Sequence, residues 1–176
     1  NTEAYYKEKN GFQAFVNANT NRTSVVYVGA NDGMLHAFDD TTGEELWAFI
    51  PPNMLPNLRE MKTLVENTTI PIYGVDGSPV VKDIYYGGQW RSVLMAGLGR
   101  DRYGYFALDV TTPEIPKFLF AFSNDPENKV VRHWGPDGSL TKQTGSASGE
   151  FNYSKLGEAW STPTIIAMPN GSARKW

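Results

Sequence analysis

The chain has 176 residues, with 16 Lys plus Arg against 19 Asp plus Glu for a formal net charge of −3, and it contains no cysteine. That balance offers no field for nucleic acid or anionic lipid to follow, the missing thiols remove disulfides, thiolate metal sites and cysteine nucleophiles together, and no apolar run approaches the roughly twenty residues a bilayer span needs. Aromatic residues at 13% with 17 Gly and 11 Pro describe a β-rich, turn-rich chain, because aromatic side chains suit a pleated surface while Gly and Pro close its turns.

Residues 1–23 form a lead-in, in which Phe12, Phe15 and Val16 fall on one side of a short helix with Asn10 as its cap. From Ser24 the period changes to two. Val26 and Val28 alternate with Val25 and Tyr27, Asn31-Asp32-Gly33 turns the chain, and Met34 to Phe38 returns as a second strand; Asp-Gly supplies the positive φ that a tight hairpin requires. After Phe38 a polar turn follows, with Asp39 expected to accept backbone N–H groups and Gly43 to take a positive φ, and Glu45 to Ile50 reads as a third strand. Residues 24–50 are therefore three strands of one meander.

Pro51 to Pro56 cannot continue a central strand, since each proline lacks a ladder donor. Leu55, Leu58, Met61, Leu64 and Val65 then recur at helical spacing, which predicts a short connecting helix. The β pattern resumes at "YGVDGSPVVKDIYY" and "GGQWRSVLMAGLG" across a Gly87-Gly88 turn, and Tyr105 to Val110 and Lys117 to Phe122 complete four strands over residues 73–122. Residues 123–156, polar and rich in Gly and Ser, read as an inserted surface loop with a small hairpin at Pro136-Asp137-Gly138, and residues 157–176 begin another β unit.

The two β runs are copies of one pattern. Gly29 aligns with Gly97, Asp39 with Asp109 and Trp47 with Phe120, at offsets of 68, 70 and 73, a drift that turn length explains. "GVDGSPVV" likewise returns as "GEAWSTPTII", with Pro79 and Pro163 separated by 84. Repeated four-stranded antiparallel sheets, none able to bury both faces alone, mark a β-propeller rather than a single sandwich. The fold class expected is all-β: a partial propeller of about two blades with short connecting helices. Its end sheets then expose apolar faces and unpaired edges for missing blades, and the chain, starting at Asn1 and stopping at Trp176 within a hairpin pattern, reads as a piece of a longer one.

The chemical motifs are sparse. Gly97-Leu98-Gly99 lacks the third glycine of a dinucleotide loop, with Arg102 in its place, and Gly145 to Gly149 has Ala147 where a nucleophile elbow needs Ser. His36 and His133 are the only imidazoles; His36 is expected to be a partly buried strand residue bonded near the Asn31-Asp32-Gly33 turn. Trp47, Trp90 and Trp160 are expected to staple neighbouring blades. Arg100, Asp101, Arg102 and Tyr103 form the exposed charged and aromatic cluster on a blade rim, a candidate partner contact.

At "VVYVGANDGMLHAFDDTTGEELWAFIP", "YGVDGSPVVKD", "WRSVLMAGLG", "GYFALDV" and "WSTPTI", in that order from Thr23 to Ile166, the chain resembles the C-terminal β-propeller of the PilY/PilC-type type IV pilus biogenesis proteins, the tip-associated adhesins. The first stretch is also similar to the repeat of quinoprotein propellers. The pilus resemblance implies a non-catalytic protein, exported through the periplasm to the cell surface, pilus tip or outer membrane, that supports pilus extension against retraction, twitching motility and attachment to host or abiotic surfaces. Its implied partners are minor pilins or the pilus tip and the remaining blades. It also implies calcium in a loop of clustered Asp and Asn; no such run stands in this sequence, so calcium is expected only in later blades and no cofactor, metal or catalytic residue here. The alternative is a quinoprotein-like propeller, either a pyrroloquinoline quinone dehydrogenase or an outer-membrane assembly scaffold.

Overall fold

The structure is a computed structural model that describes residues 2–58, 73–100, 102–144 and 155–166. The lead-in is two helices, α1 (Thr2–Lys9) and α2 (Phe12–Ala18), separated by Gly11 at φ +66°. Gly11, not Asn10, takes the cap position of α2. The Asn10 carbonyl instead accepts the Trp90 indole N–H at 2.8 Å, and the Phe12 and Phe15 rings lie 4.6 and 6.4 Å from Trp90. The helical lead-in is thus tied to the second sheet by one aromatic cluster.

The first sheet is the expected meander, β1 (Val25–Gly29), β2 (Leu35–Asp39) and β3 (Glu45–Phe49), with Gly33 at φ +90° and Gly43 at +74° in its two turns. A 3-10 helix, Pro52–Asn57, then carries the chain out of that sheet. The helix expected from Leu55 to Val65 lies mostly outside the described residues. The second sheet runs β4 (Val80–Tyr86), β5 (Gln89–Gly97), β6 (Gly104–Asp109), β7 (Lys117–Asp125), β8 (Val130–Trp134) and β9 (Leu140–Thr144), each paired antiparallel with the next.

Six strands replace the four expected, and the correction falls within residues 123–156. Ser123, Asn124 and Asp125 extend β7, and β8 and β9 follow as a hairpin closed at Pro136-Asp137-Gly138, where Gly138 takes φ +78°. Strand pairing uses backbone groups, so polar side chains such as Ser123 and Asn124 join the ladder without any apolar alternation to announce it.

Register confirms the repeat residue by residue. Val25 pairs with Asp39 and Gly29 with Leu35 in the first sheet; Val93 pairs with Asp109 and Gly97 with Tyr105 in the second. Ala37 opposes Trp47 as Ala107 opposes Phe120, and each ladder slips at the next residue, between Ala37 and Phe38 and between Ala107 and Leu108. Asp39 accepts the Thr41 N–H and Asp109 accepts the Thr111 N–H, so even the turn after the second strand is built alike.

The core lies between the two sheets. Tyr27, Leu35, Trp47 and Phe49 of the first sheet meet Leu94, Ala96, Phe106, Leu108 and Ala121 of the second, with Met54 of the 3-10 helix at one end. Phe49 stands 5.9 Å from Phe106 and 6.1 Å from Phe118 between ring centroids, and the Trp47 indole N–H reaches the Pro113 carbonyl at 2.7 Å. One face of each sheet is thus distinguished. The repeat counterparts of the buried Leu94, Ala96, Phe106 and Leu108 are Val26, Val28, His36 and Phe38, which lie on the first sheet's other face, where both valines are exposed. Back-of-one onto front-of-next is the stacking rule of propeller blades.

Candidate functional site

The rim cluster occupies the loop from Leu98 to Tyr103 between β5 and β6. Gly99 makes the turn at φ +81°, where a Cβ would come within 2.7 Å of the Asp76 Cβ. Arg100 packs over the Tyr73 ring at 4.9 Å and donates from Nη1 to the Tyr73 hydroxyl at 2.9 Å. Arg102 donates from Nε to the Tyr73 carbonyl, and the Tyr103 carbonyl accepts the Asn124 N–H at 2.7 Å. Asp101 lies outside the described residues. Of the four, Arg102 and Tyr103 face a common cleft, while Arg100 is engaged with Tyr73.

That cleft encloses about 420 Å³ and is lined from four directions, by Asn53 of the 3-10 helix, Arg102 and Tyr103 of the rim loop, Asn124 and Asp125 of β7, and Arg132 and Trp134 of β8. Each wall is fixed from behind. Asn53 donates from Nδ2 to the carbonyls of Tyr105 and Phe122 at 3.3 Å, and Asn124 donates from Nδ2 to the Leu156 carbonyl at 2.9 Å. Asp125 accepts from Asn128 at 3.1 Å and from Arg132 at 3.2 Å. Burial pushes the Asp125 carboxyl up, but the Asn128 and Arg132 donors outweigh it and hold the group below its ordinary range. The result is a polar cleft with a Trp134 wall, two guanidinium groups and several amides. Such a surface suits recognition through hydrogen bonds and aromatic contact. The sequence pointed to Arg102 and Tyr103 but missed Asn124, Asp125 and Arg132, because those sat within the segment read as a loop.

A second polar cluster surrounds His36. Its Nδ1 lies 2.6 Å from Glu45 Oε1 and its Nε2 lies 2.9 Å from Asp32 Oδ2, so the expected tie to the turn is present and a partner on β3 is added. The Glu45 hydrogen bond raises the imidazole pKa, burial opposes it, and Asp32 adds to the rise. Among the described residues no group of three or more His, Cys, Asp or Glu is disposed to hold a metal ion. The tryptophans divide. Trp47 joins the two sheets as expected, Trp90 binds the helical lead-in instead of a blade, and Trp160 is exposed with its indole N–H on Glu158.

Comparison with known proteins agrees with this architecture. Residues 4–172 match the model of the PilY1 beta-propeller domain. The chain is 43% identical over 165 residues to the type IV pilus biogenesis factor PilY1 of Pseudomonas aeruginosa strain PAO1, covering 94% of this chain and 12% of that protein. It is 45% identical over 120 residues to a PilY1 homolog of Xylella fastidiosa, covering 68% of this chain and 10% of that protein. The crystal structure of the P. aeruginosa PilY1 C-terminal domain is similar with a TM-score of 0.51 and 42% identity, over 70% of this chain and 23% of that one. The chain thus spans about an eighth of the length of its curated relatives. Repeat register, face-to-back stacking and these likenesses coincide, and the chain belongs to the PilY1 beta-propeller family.

Proposed function

We propose that the chain is a non-catalytic interaction module of a type IV pilus biogenesis factor, and that the cleft bearing Arg102 and Tyr103 is its contact with a pilus component. The observation that supports this most directly is the way the cleft is made: the polar side chains of Arg102, Asn124 and Arg132 line it together with Trp134, and the Asp125 carboxylate is engaged as an acceptor by Asn128 and Arg132. The groups fit a peptide partner better than a reacting bond, which would ask for a free base beside a nucleophile. In the longer protein such a module supports extension against retraction, twitching motility and attachment to host or abiotic surfaces. It acts at the cell surface, pilus tip or outer membrane after export through the periplasm. Minor pilins are its first partners, and calcium belongs to other blades.

The test uses the full-length protein carrying Arg102→Ala with Tyr103→Ala in a piliated strain. Co-purification with minor pilins is expected to fall at least tenfold and twitching zones to shrink, at unchanged protein level. Undiminished co-purification and motility would remove the cleft from the proposal. Pyrroloquinoline quinone added to the full propeller is expected to produce no dye reduction; turnover would replace this reading with the dehydrogenase one.

A further inference from the structure

The cleft at Arg102 and Tyr103 contains a polar atom that the fold leaves unsatisfied. Asn53 of the 3-10 helix lines that cleft, is 5% exposed, and has no hydrogen-bond partner for its Oδ1 among the described residues. Its other end fixes which way the amide faces. Nδ2 donates to the carbonyls of Tyr105 and Phe122 at 3.3 Å, and a reversed amide would set an oxygen against both acceptors. Gly104 makes room for this seat, since a Cβ there would lie 2.9 Å from Nδ2. The two ends of a planar amide diverge, so Oδ1 is turned away from the β6 and β7 carbonyls and toward the space the residue lines.

A buried acceptor without a donor costs stability, and a partner that supplies the donor recovers that cost on binding. The remaining cleft groups decide what the partner is. Arg102 and Arg132 are matched by Asp125 and Glu127, so the cleft selects no net charge, and its two guanidinium groups disfavour a cationic donor. Arg102 spends Nε on the Tyr73 carbonyl, and among the described residues neither its Nη atoms nor the Tyr103 hydroxyl is engaged. The complement must therefore donate at Asn53 and accept at Arg102 and Tyr103 without carrying charge. A polypeptide main chain does so, with one N–H and one C=O per residue, provided those groups are not already bonded to each other in a helix. A saccharide would also donate and accept, but a sugar ring is gripped through an open aromatic face, and Trp134 is only 8% exposed.

We propose that the cleft reads an extended, uncharged stretch of partner main chain, with Asn53 Oδ1 accepting one of its backbone N–H groups and Arg102 and Tyr103 binding its carbonyls. This contact chemistry rests on the role toward a pilus component proposed above for the cleft. Recognition of this kind depends on the backbone donor more than on the side chain beside it, because a site built around a buried acceptor rejects a ligand that lacks the matching donor.

Overlapping synthetic peptides covering the minor pilins, each also made with single main-chain N-methyl groups, test it against the full-length protein. At least one peptide is expected to bind, and methylating one of its nitrogens should weaken it about tenfold or more while alanine at the same residue changes binding by less than about threefold. Asn53→Leu in the full-length protein, measured below its melting temperature, should bind that peptide more weakly and lose the sensitivity to the methyl group. A merely structural role for Asn53 would lower both affinities alike and leave their ratio unchanged. If Asn53→Leu does not fold, the methyl scan on the native protein still decides. The absence of any peptide binder overturns the proposal, as do binders with no methyl-sensitive nitrogen, an unchanged ratio in Asn53→Leu, or capture of intact pilins that free monosaccharides compete. If one of these comes while Arg102→Ala with Tyr103→Ala still abolishes capture of intact minor pilins, only the main-chain reading falls. If that variant captures them undiminished, the cleft's role falls with it.

Discussion

At the residue scale, His36 is the position where the two repeats differ most in chemistry. Its counterpart in the second sheet is Phe106, buried in the core, whereas His36 holds two carboxylates on a partly exposed face. Both ring nitrogens donate at once only in the imidazolium form, so the site favours the proton. Because the folded pKa is raised above the ordinary value near 6.5, the stabilisation is complete below that pH and is lost as pH rises through the folded value. Unfolding free energies from urea titrations between pH 6 and 9 are expected to decline for the native chain, by less than about 1 kcal/mol after solvent screening, and to stay flatter for His36→Phe. Equal slopes in the two proteins would assign the pH dependence elsewhere. The Asp32 half of this cluster was legible in the sequence as a neighbour four residues away across a turn. The Glu45 half was not, since it depends on how β3 pairs with β2 around a bulge.

At the element scale, one feature that repeats is a backbone crossing over Gly29 in the first sheet and Gly97 in the second. A later segment crosses the end of β1 in the first sheet and the end of its counterpart β5 in the second. Val75 bonds the Ala30 carbonyl through its N–H at 2.9 Å, and Ala159 bonds the Arg102 carbonyl at 2.8 Å while bridging Gly99. A Cβ on Gly29 would lie 2.3 Å from the Val75 carbonyl oxygen, and one on Gly97 would lie 2.7 Å from the Ala159 carbonyl oxygen. Neither obstacle is a side chain that can swing away. Gly29→Ala and Gly97→Ala are each expected to cost about 1–3 kcal/mol, read as a lower urea midpoint with an unchanged slope. Gly43→Ala meets open space and only the penalty of φ +74°, so it should cost less. Equal tolerance of all three would mean the crossing is loose. The strands and turns that frame these crossings were readable because alternation and turn glycines act within a few residues. The hairpin turn at Pro136-Asp137-Gly138 was readable in the same way, but the joining of β8 and β9 to the second sheet was not, because their polar surroundings hid a short run whose pairing is settled by the overhang of β7.

At the scale of the whole molecule, the two sheets share one core and should fail together. Phe106 is fully buried at its centre and touches Phe49 from the first sheet. Phe106→Ala is expected to cost about 3–5 kcal/mol through lost contacts and the cavity left behind. The loss should appear equally in the exchange of β2 and β6 amides at high protection; loosening confined to the second sheet would show that the two are not one cooperative unit.

The sequence by itself determined the all-β class, the order of strands β1 to β7, their turn residues and the repeat offset, because each is either a local pattern or a comparison of the chain with itself. Only the tertiary structure decided which face of each sheet is buried, that Trp90 serves the helices, and that Arg102 and Tyr103 share a cleft with Arg132 and Trp134. Those outcomes depend on which distant segments the backbone register brings within a few ångströms, and burial is a property of the meeting surfaces that neither segment carries alone.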